Sequence, residues 1–130
     1  MKLLLDTHVW LWQLAQPELL SRRASAALED LANELYLSPI SVWEVLVLAR
    51  KGCIQLSSEP VEWVREALRK SPAQMAELTH DIALGSEDLP GLASRDPADR
   101  FLVATCLDGE MTLVTADRAL RRYRRLRTLW

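Results

Sequence analysis

Only two cysteines, Cys53 and Cys106, occur in 130 residues. They lie far apart in apolar or helical surroundings, which excludes a disulfide framework and reads as two buried thiols in a reducing compartment, so the cytoplasm is the expected site of action. No apolar run approaches the roughly 18 uninterrupted residues that a membrane span requires. The chain enters directly into Lys2-Leu3-Leu4-Leu5-Asp6 with no long apolar leader, so neither secretion nor membrane insertion is expected. Repeats, linkers and low-complexity tracts are also missing. A basic excess is lacking too: 16 Lys and Arg stand against 18 Asp and Glu, a net charge of −2, which argues mildly against nucleic-acid binding through bulk electrostatics.

What is present is apolar content for a core, 49% of residues, in a length that fits one domain over 1–130. The order reads as strand and helix in alternation. Leu3-Leu4-Leu5 is a short buried strand leading into a helix over 8–15. Apolar Ala24, Ala27, Leu28 and Leu31 predict a helix over 21–33, and a second strand over 35–38 is stopped by Pro39. A helix over 41–50 ends at Gly52. Residues 54–56 read as briefly extended. Pro60 to Lys70 reads as an amphipathic helix burying Trp63, Val64, Ala67 and Leu68. After a strand over 75–78, a helical turn over 81–85 and a loop around Pro90, a helix over 98–107 turns at Asp108-Gly109 into a strand over 111–115. A final helix begins at Arg118, and 126–130 reads as an edge strand. Such alternation predicts an α/β domain with a mainly parallel central sheet flanked by helices and joined by right-handed crossovers. In such sheets ligands gather at the carboxyl ends of the strands.

Four carboxylates, Asp6, Glu44, Asp99 and Asp117, fall just beyond an apolar strand or on the opening turn of a helix. Unpaired acids brought together raise one another's pKa, so a cluster of four implies a cation among them. With no Cys or His beside them in a zinc-like spacing, the donors are oxygen only, which favours Mg²⁺, with Mn²⁺ as its substitute. Each acid also has a local explanation. Asp6 and Asp117 suit helix N-caps, Asp96-Pro97 reads as an N-cap followed by proline at the first helical position, and Ser41-Val42-Trp43-Glu44 fits a capping box. The joint pattern carries the argument.

Leu5-Asp6-Thr7-His8-Val9-Trp10, Ser38-Pro39-Ile40-Ser41-Val42-Trp43-Glu44-Val45, Arg95-Asp96-Pro97-Ala98-Asp99-Arg100 and Val114-Thr115-Ala116-Asp117 resemble, in that order, the motifs of PIN-domain ribonucleases. More narrowly they resemble VapC toxins of bacterial type II toxin–antitoxin pairs, and the likeness runs along essentially the whole chain. Ala98 departs from the aromatic common there in relatives, which touches packing and none of the acids. The resemblance implies a Mg²⁺-dependent endoribonuclease toxin that cuts structured RNA such as tRNA or rRNA, inhibits translation, and is silenced by a cognate antitoxin. It makes Asp6, Glu44, Asp99 and Asp117 the catalytic acids, with Asp96 and Thr115 supporting them. Asp6 and Asp99 are then expected as metal ligands, Asp117 at a second metal position or through water, and Glu44 as the group orienting the attacking water.

Phosphodiester hydrolysis needs an activated water and relief of charge on the phosphoryl oxygens, which one or two Mg²⁺ ions supply. Arg118, Arg121, Arg122, Arg124, Arg125 and Arg127 crowd into the C-terminal stretch. With Arg100, residues Arg121 and Arg122 are candidate contacts for backbone phosphates, which strengthen binding without reading bases; the alternative is a solvated basic face. His8 reads as a structural residue or a substrate contact ahead of a general base, and the five tryptophans read as core or interface ahead of base stacking. Trp10 and Trp12 cannot share one helix face, so one is expected to point away from the main core, into a subunit contact. A homodimer is expected, with two grooves between early helices for antitoxin segments. Two other readings remain. A non-catalytic PIN scaffold binding RNA or a protein has little reason to keep four crowded acids. An aspartyl-phosphate phosphatase wants an acid two residues after Asp6, where His8 stands.

Overall fold

A computed structural model describes residues 1–130. Its centre is a five-stranded sheet built from β1 (Lys2–Leu5), β2 (Glu34–Leu37), β3 (Gln74–Met75), β4 (Thr112–Val114) and β5 (Thr128–Leu129). The strand order is β3-β2-β1-β4-β5 and every pairing is parallel. The three leucines of β1 are fully buried because β1 is the middle strand and both its faces are covered. Leu3 and Leu5 point into one core with Val9, Trp10, Val45, Val64 and Ala67. Leu4 points into the other, with Leu102, Val103, Leu113 and Leu120. The helices are α1 (Thr7–Ala15), α2 (Arg22–Glu29), α3 (Pro39–Arg50), α4 (Pro60–Lys70), α5 (His80–Gly85), α6 (Pro97–Gly109) and α7 (Arg118–Arg121). None is long and apolar enough to cross a membrane.

Several expectations shift, each for a local reason. The helix predicted over 21–33 stops at Glu29, because Asp30 accepts the Ala32 N–H through its carboxylate at 2.9 Å and the Asn33 side chain donates to the Ala27 carbonyl at 2.9 Å. Those bonds offer the chain a turn in place of another helical one, and Leu31 is left wholly exposed. Pro39 starts α3 instead of merely stopping β2: the Ser38 hydroxyl accepts the Ile40 N–H at 3.1 Å, so Ser38 is the cap and Pro39 the first helical residue. The capping box at Ser41 and Glu44 is therefore overturned. Residues 54–56 form no strand, although Ile54 and Leu56 pack against the core, and the strand expected over 75–78 is confined to Gln74–Met75. On α4, Val64 and Ala67 are buried but Leu68 is not. Gly109 remains helical, and the turn into β4 falls on Glu110, whose φ of 52° is left-handed. Cys106 is buried as expected, whereas Cys53 is exposed on the loop after α3.

A candidate metal-dependent active site

Five carboxylates reach one cleft of about 330 Å³ at the carboxyl edge of β1 and β4: Asp6, Glu44, Asp96, Asp99 and Asp117. Asp6 ends β1 and caps α1. Its N–H extends the ladder to the Val114 carbonyl at 3.1 Å, while its carboxylate accepts the Thr7 N–H at 2.7 Å and the Thr115 hydroxyl at 2.6 Å. Thr115 is fully buried. Its oxygen also accepts the Asp117 N–H at 3.0 Å, so one hydroxyl ties together the acids that follow β1 and β4. Asp117 caps α7 by accepting the N–H groups of Ala119 and Leu120. Asp96 caps α6 by accepting the Ala98 N–H at 3.0 Å. Capping and site-building are therefore the same act for three of the acids.

Asp99, on the first turn of α6, accepts the Ser94 hydroxyl at 2.7 Å. Glu44 projects from α3, where the Thr7 hydroxyl donates to Ser41 Oγ at 3.0 Å and fastens the start of α1 to that helix. Burial pushes the Asp99 carboxyl up to about 6, reinforced by repulsion from Asp6, Asp96 and Asp117. Burial also raises Asp6, against the lowering effect of Thr115, and it raises Glu44, with Asp96 and Asp6 adding to the rise. No lysine or arginine lines the cleft, and His8 is the one basic side chain there, drawing Asp6 and Glu44 part of the way back down; the ion pairs of the molecule join Arg69 and Lys70 to Glu66 on α4. No three of these acids converge into a ready-made ion cage. The donor chemistry nevertheless fits a hard divalent cation, since carboxylate and hydroxyl oxygens surround a cleft that no lysine or arginine lines.

His8 and Trp12 form the aromatic wall of the cleft, their ring centroids 5.9 Å apart. Trp10 is fully buried, and Trp12 turns the other way to meet Trp130 at 5.8 Å; its neighbour is thus a residue of the same chain. Arg100 donates to the carbonyls of Ser86 at 2.9 Å and Ser94 at 3.3 Å, bracing the loop before α6 and leaving the cleft to the acids. Arg121 and Arg122 line a separate depression. Sequence reasoning missed Ser94 and the Thr7–Ser41 bond. Ser94 lies five residues before Asp99 in an irregular segment with no periodic signal, and Ser41 carried the signature of a cap.

A family model, the PIN domain, matches residues 3–126. The chain belongs to the PIN-domain family. Ribonuclease VapC22 of Mycobacterium tuberculosis is 37% identical over 129 residues, covering 98% of this chain and 97% of that protein, which sets the chain among VapC-type members. The fold recurs in VapBC2 of Rickettsia felis, solved bound to a DNA fragment from its promoter, with a TM-score of 0.72 and 19% identity over 98% of this chain and 97% of that one. It recurs also in DNA-bound VapBC of Salmonella typhimurium, with a TM-score of 0.71 and 15% identity over 98% and 96%.

Proposed function

We propose that the chain is a Mg²⁺-dependent endoribonuclease, the toxin of a type II toxin–antitoxin pair, acting in the cytoplasm on structured RNA such as tRNA or rRNA and so inhibiting translation. The observation that carries this reading is the cleft of five carboxylates, with no lysine or arginine among them, in a PIN domain. Bound Mg²⁺, or Mn²⁺ in its place, supplies neutralisation of charge on the phosphoryl oxygens and a water acidic enough to attack at neutral pH. Asp6 and Asp99 are the ligands we assign first, with Asp117 at a second position or through water. Glu44, opposite them on α3, orients the water. Thr115 and Asp96 act as positioning residues: Thr115 holds Asp6 in one rotamer, and Asp96 fixes the start of α6, from which Asp99 projects.

The antitoxin reading has its own support. Leu11, Trp12, Ile54, Leu56 and Trp63 line a depression of about 240 Å³ between α1, α4 and the loop after α3. It adjoins a second, where Leu14, Trp63 and Ala67 meet. His8 and Trp12 border both the first depression and the acid cleft. An apolar segment of a cognate antitoxin lying in this groove would thus deliver a basic side chain to the acids, where it competes with the cation. Met75 and Leu78 border another open depression with Pro39, and exposed Trp43 lies one turn further along α3. That face suits the second copy of the expected homodimer.

Two measurements test the reading together. Purified protein should cut RNA with Mg²⁺ or Mn²⁺ and stop with EDTA, and Asp6→Asn should remove cleavage at constant side-chain volume. In bacteria the wild type alone should arrest growth, Asp6→Asn and Asp99→Asn should not, and co-expression of the neighbouring small reading frame should restore growth. Arrest that survives both Asn changes would move the assignment to a non-catalytic scaffold that harms by binding.

A further inference from the structure

Arg23, Arg118, Arg121 and Arg122 converge on one depression of about 480 Å³, walled on one side by Trp130. They come from distant parts of the chain. Ser21 caps α2 by accepting the Ala24 N–H at 3.0 Å, which fixes where Arg23 leaves that helix, and the Asp117 cap does the same for the arginines of α7. No aspartate or glutamate side chain lines the depression. The guanidinium groups that the fold does use belong to other residues: Arg69 pairs with Glu66, Arg100 holds Ser86 and Ser94, Arg125 reaches the Asp88 carbonyl and Arg127 the Glu110 carbonyl. Four like charges gathered with no acidic side chain paired to them repel unless an anion joins them, and the planar fork of arginine matches phosphate oxygens two at a time.

We propose that this depression is a phosphate-binding subsite which holds the backbone of a single-stranded RNA segment flanking the cut, with Arg23 as its least expected member. The choice of RNA as the anion rests on the nuclease reading above. Continuity of surface supports it. Trp130 is both the wall of the basic depression and the stacking neighbour of Trp12, which borders the acid cleft, and Arg118 directly follows Asp117. A strand with one phosphate at the acids passes over this tryptophan pair, where a base has a face to stack on, and brings neighbouring phosphates to the arginines.

The test reads binding, so it stands whether or not the acids cleave. Metal-free protein in EDTA, with Asp6→Asn in a parallel series, is titrated with an unstructured oligoribonucleotide at several salt concentrations by fluorescence anisotropy. The pair Arg23→Gln and Arg121→Gln is compared with Arg124→Gln and Arg125→Gln, which removes the same charge outside the depression. All four positions are exposed, and melting temperatures within about 2 °C of the parent, the allowance for the Arg125 bond to the Asp88 carbonyl, would verify the fold. The pocket pair should weaken binding roughly tenfold or more, and should lower the logarithmic salt slope by about 1.4, two single-strand phosphate contacts at about 0.7 each. The outer pair should do less than half of either. Equal losses from both pairs, or none, would overturn the subsite and leave a diffuse basic end. Intact RNA binding combined with weaker antitoxin binding in the pocket pair would overturn it in favour of an acidic protein segment. Cleavage is read apart, in Mg²⁺: if Asp6→Asn still cuts while this binding pattern holds, the assignment of the acids fails and the subsite stands, so the two readings fail separately.

Discussion

In the acid cleft, Asp6, Asp96, Asp99 and Asp117 each accept at least one hydrogen bond from the fold, whereas in the basic depression the four arginines are tied to nothing. Both concentrate one sign of charge: no lysine or arginine lines the first, and no aspartate or glutamate side chain lines the second. The difference lies in how much each position is fixed. Chemistry at a scissile phosphate demands donors held to a fraction of an ångström, which capped helix starts and a buried threonine provide. Gripping a flexible polyanion demands charge and reach, which long unpaired side chains provide at no cost in prior bonds.

That contrast breaks most visibly at Thr115. Thr115→Val keeps the buried volume but removes the hydroxyl that donates to Asp6 and accepts from Asp117. If positioning is what the cleft supplies, cleavage or Mg²⁺ affinity should fall about 10- to 100-fold, the usual cost of losing a group that orients a ligand. Single-strand binding in EDTA should hardly move. A magnesium titration of initial cleavage rate checks this, and parental half-saturation together with the parental rate would mean that Asp6 needs no such support.

A smaller effect should appear in stability. Asp99 titrates at about 6 instead of the ordinary 3.8, through burial first and neighbouring acids second. A carboxyl whose folded pKa lies above its unfolded one binds its proton more tightly when folded, so its favourable contribution is complete below about pH 4 and is lost as pH rises through about 6. Asp99→Asn removes that penalty. In EDTA its melting temperature should match the parent near pH 4 and exceed it by roughly 2–5 °C above pH 6, and millimolar Mg²⁺ should narrow the gap. A gap of constant size across this range would show that the gain has nothing to do with the titration of Asp99. The basic depression lacks any counterpart: Arg23→Gln should leave the pH profile unchanged.

How much of this was legible beforehand follows the range of each interaction. The buried Leu3-Leu4-Leu5 strand, the Asp96-Pro97 start of α6 and the edge strand before Trp130 were legible, because each signal sits within a few residues. The gathering of the acids at one sheet edge was legible through the parallel alternation of strand and helix and the PIN motifs. Glu44 shows where locality misleads: Ser41 and Glu44 are spaced like a cap, but Ser38 and Pro39 begin the helix a turn earlier and free Glu44 for the cleft. Leu31 kept helical spacing beyond a helix that Asp30 and Asn33 had already ended. Arg23 was invisible, since nothing in α2 points to arginines that arrive from α7. For Arg100 charge was legible, but its hold on the Ser86 and Ser94 carbonyls was not.

The finest division between the two regions runs within the arginine-rich end itself. Arg127 donates to the Glu110 carbonyl at 2.8 Å, and Glu110 is the left-handed residue that turns α6 into β4. Residue 110 is not glycine, so its backbone is held against a steric preference, and the arginine steadies the carbonyl at that point. Removing the bond in Arg127→Gln should therefore cost about 0.5 kcal/mol, the low end for an exposed hydrogen bond, seen as about 2 °C in melting temperature. Its effect on the salt slope of RNA binding should be no larger than that of any single charge outside the depression. Arg23→Gln should give the reverse, a reduced slope at parental stability. If Arg127→Gln lowers the slope as much as Arg23→Gln does while leaving stability alone, the arginines do not divide into those that brace the fold and those that wait for an anion, and the basic end acts as one undifferentiated surface.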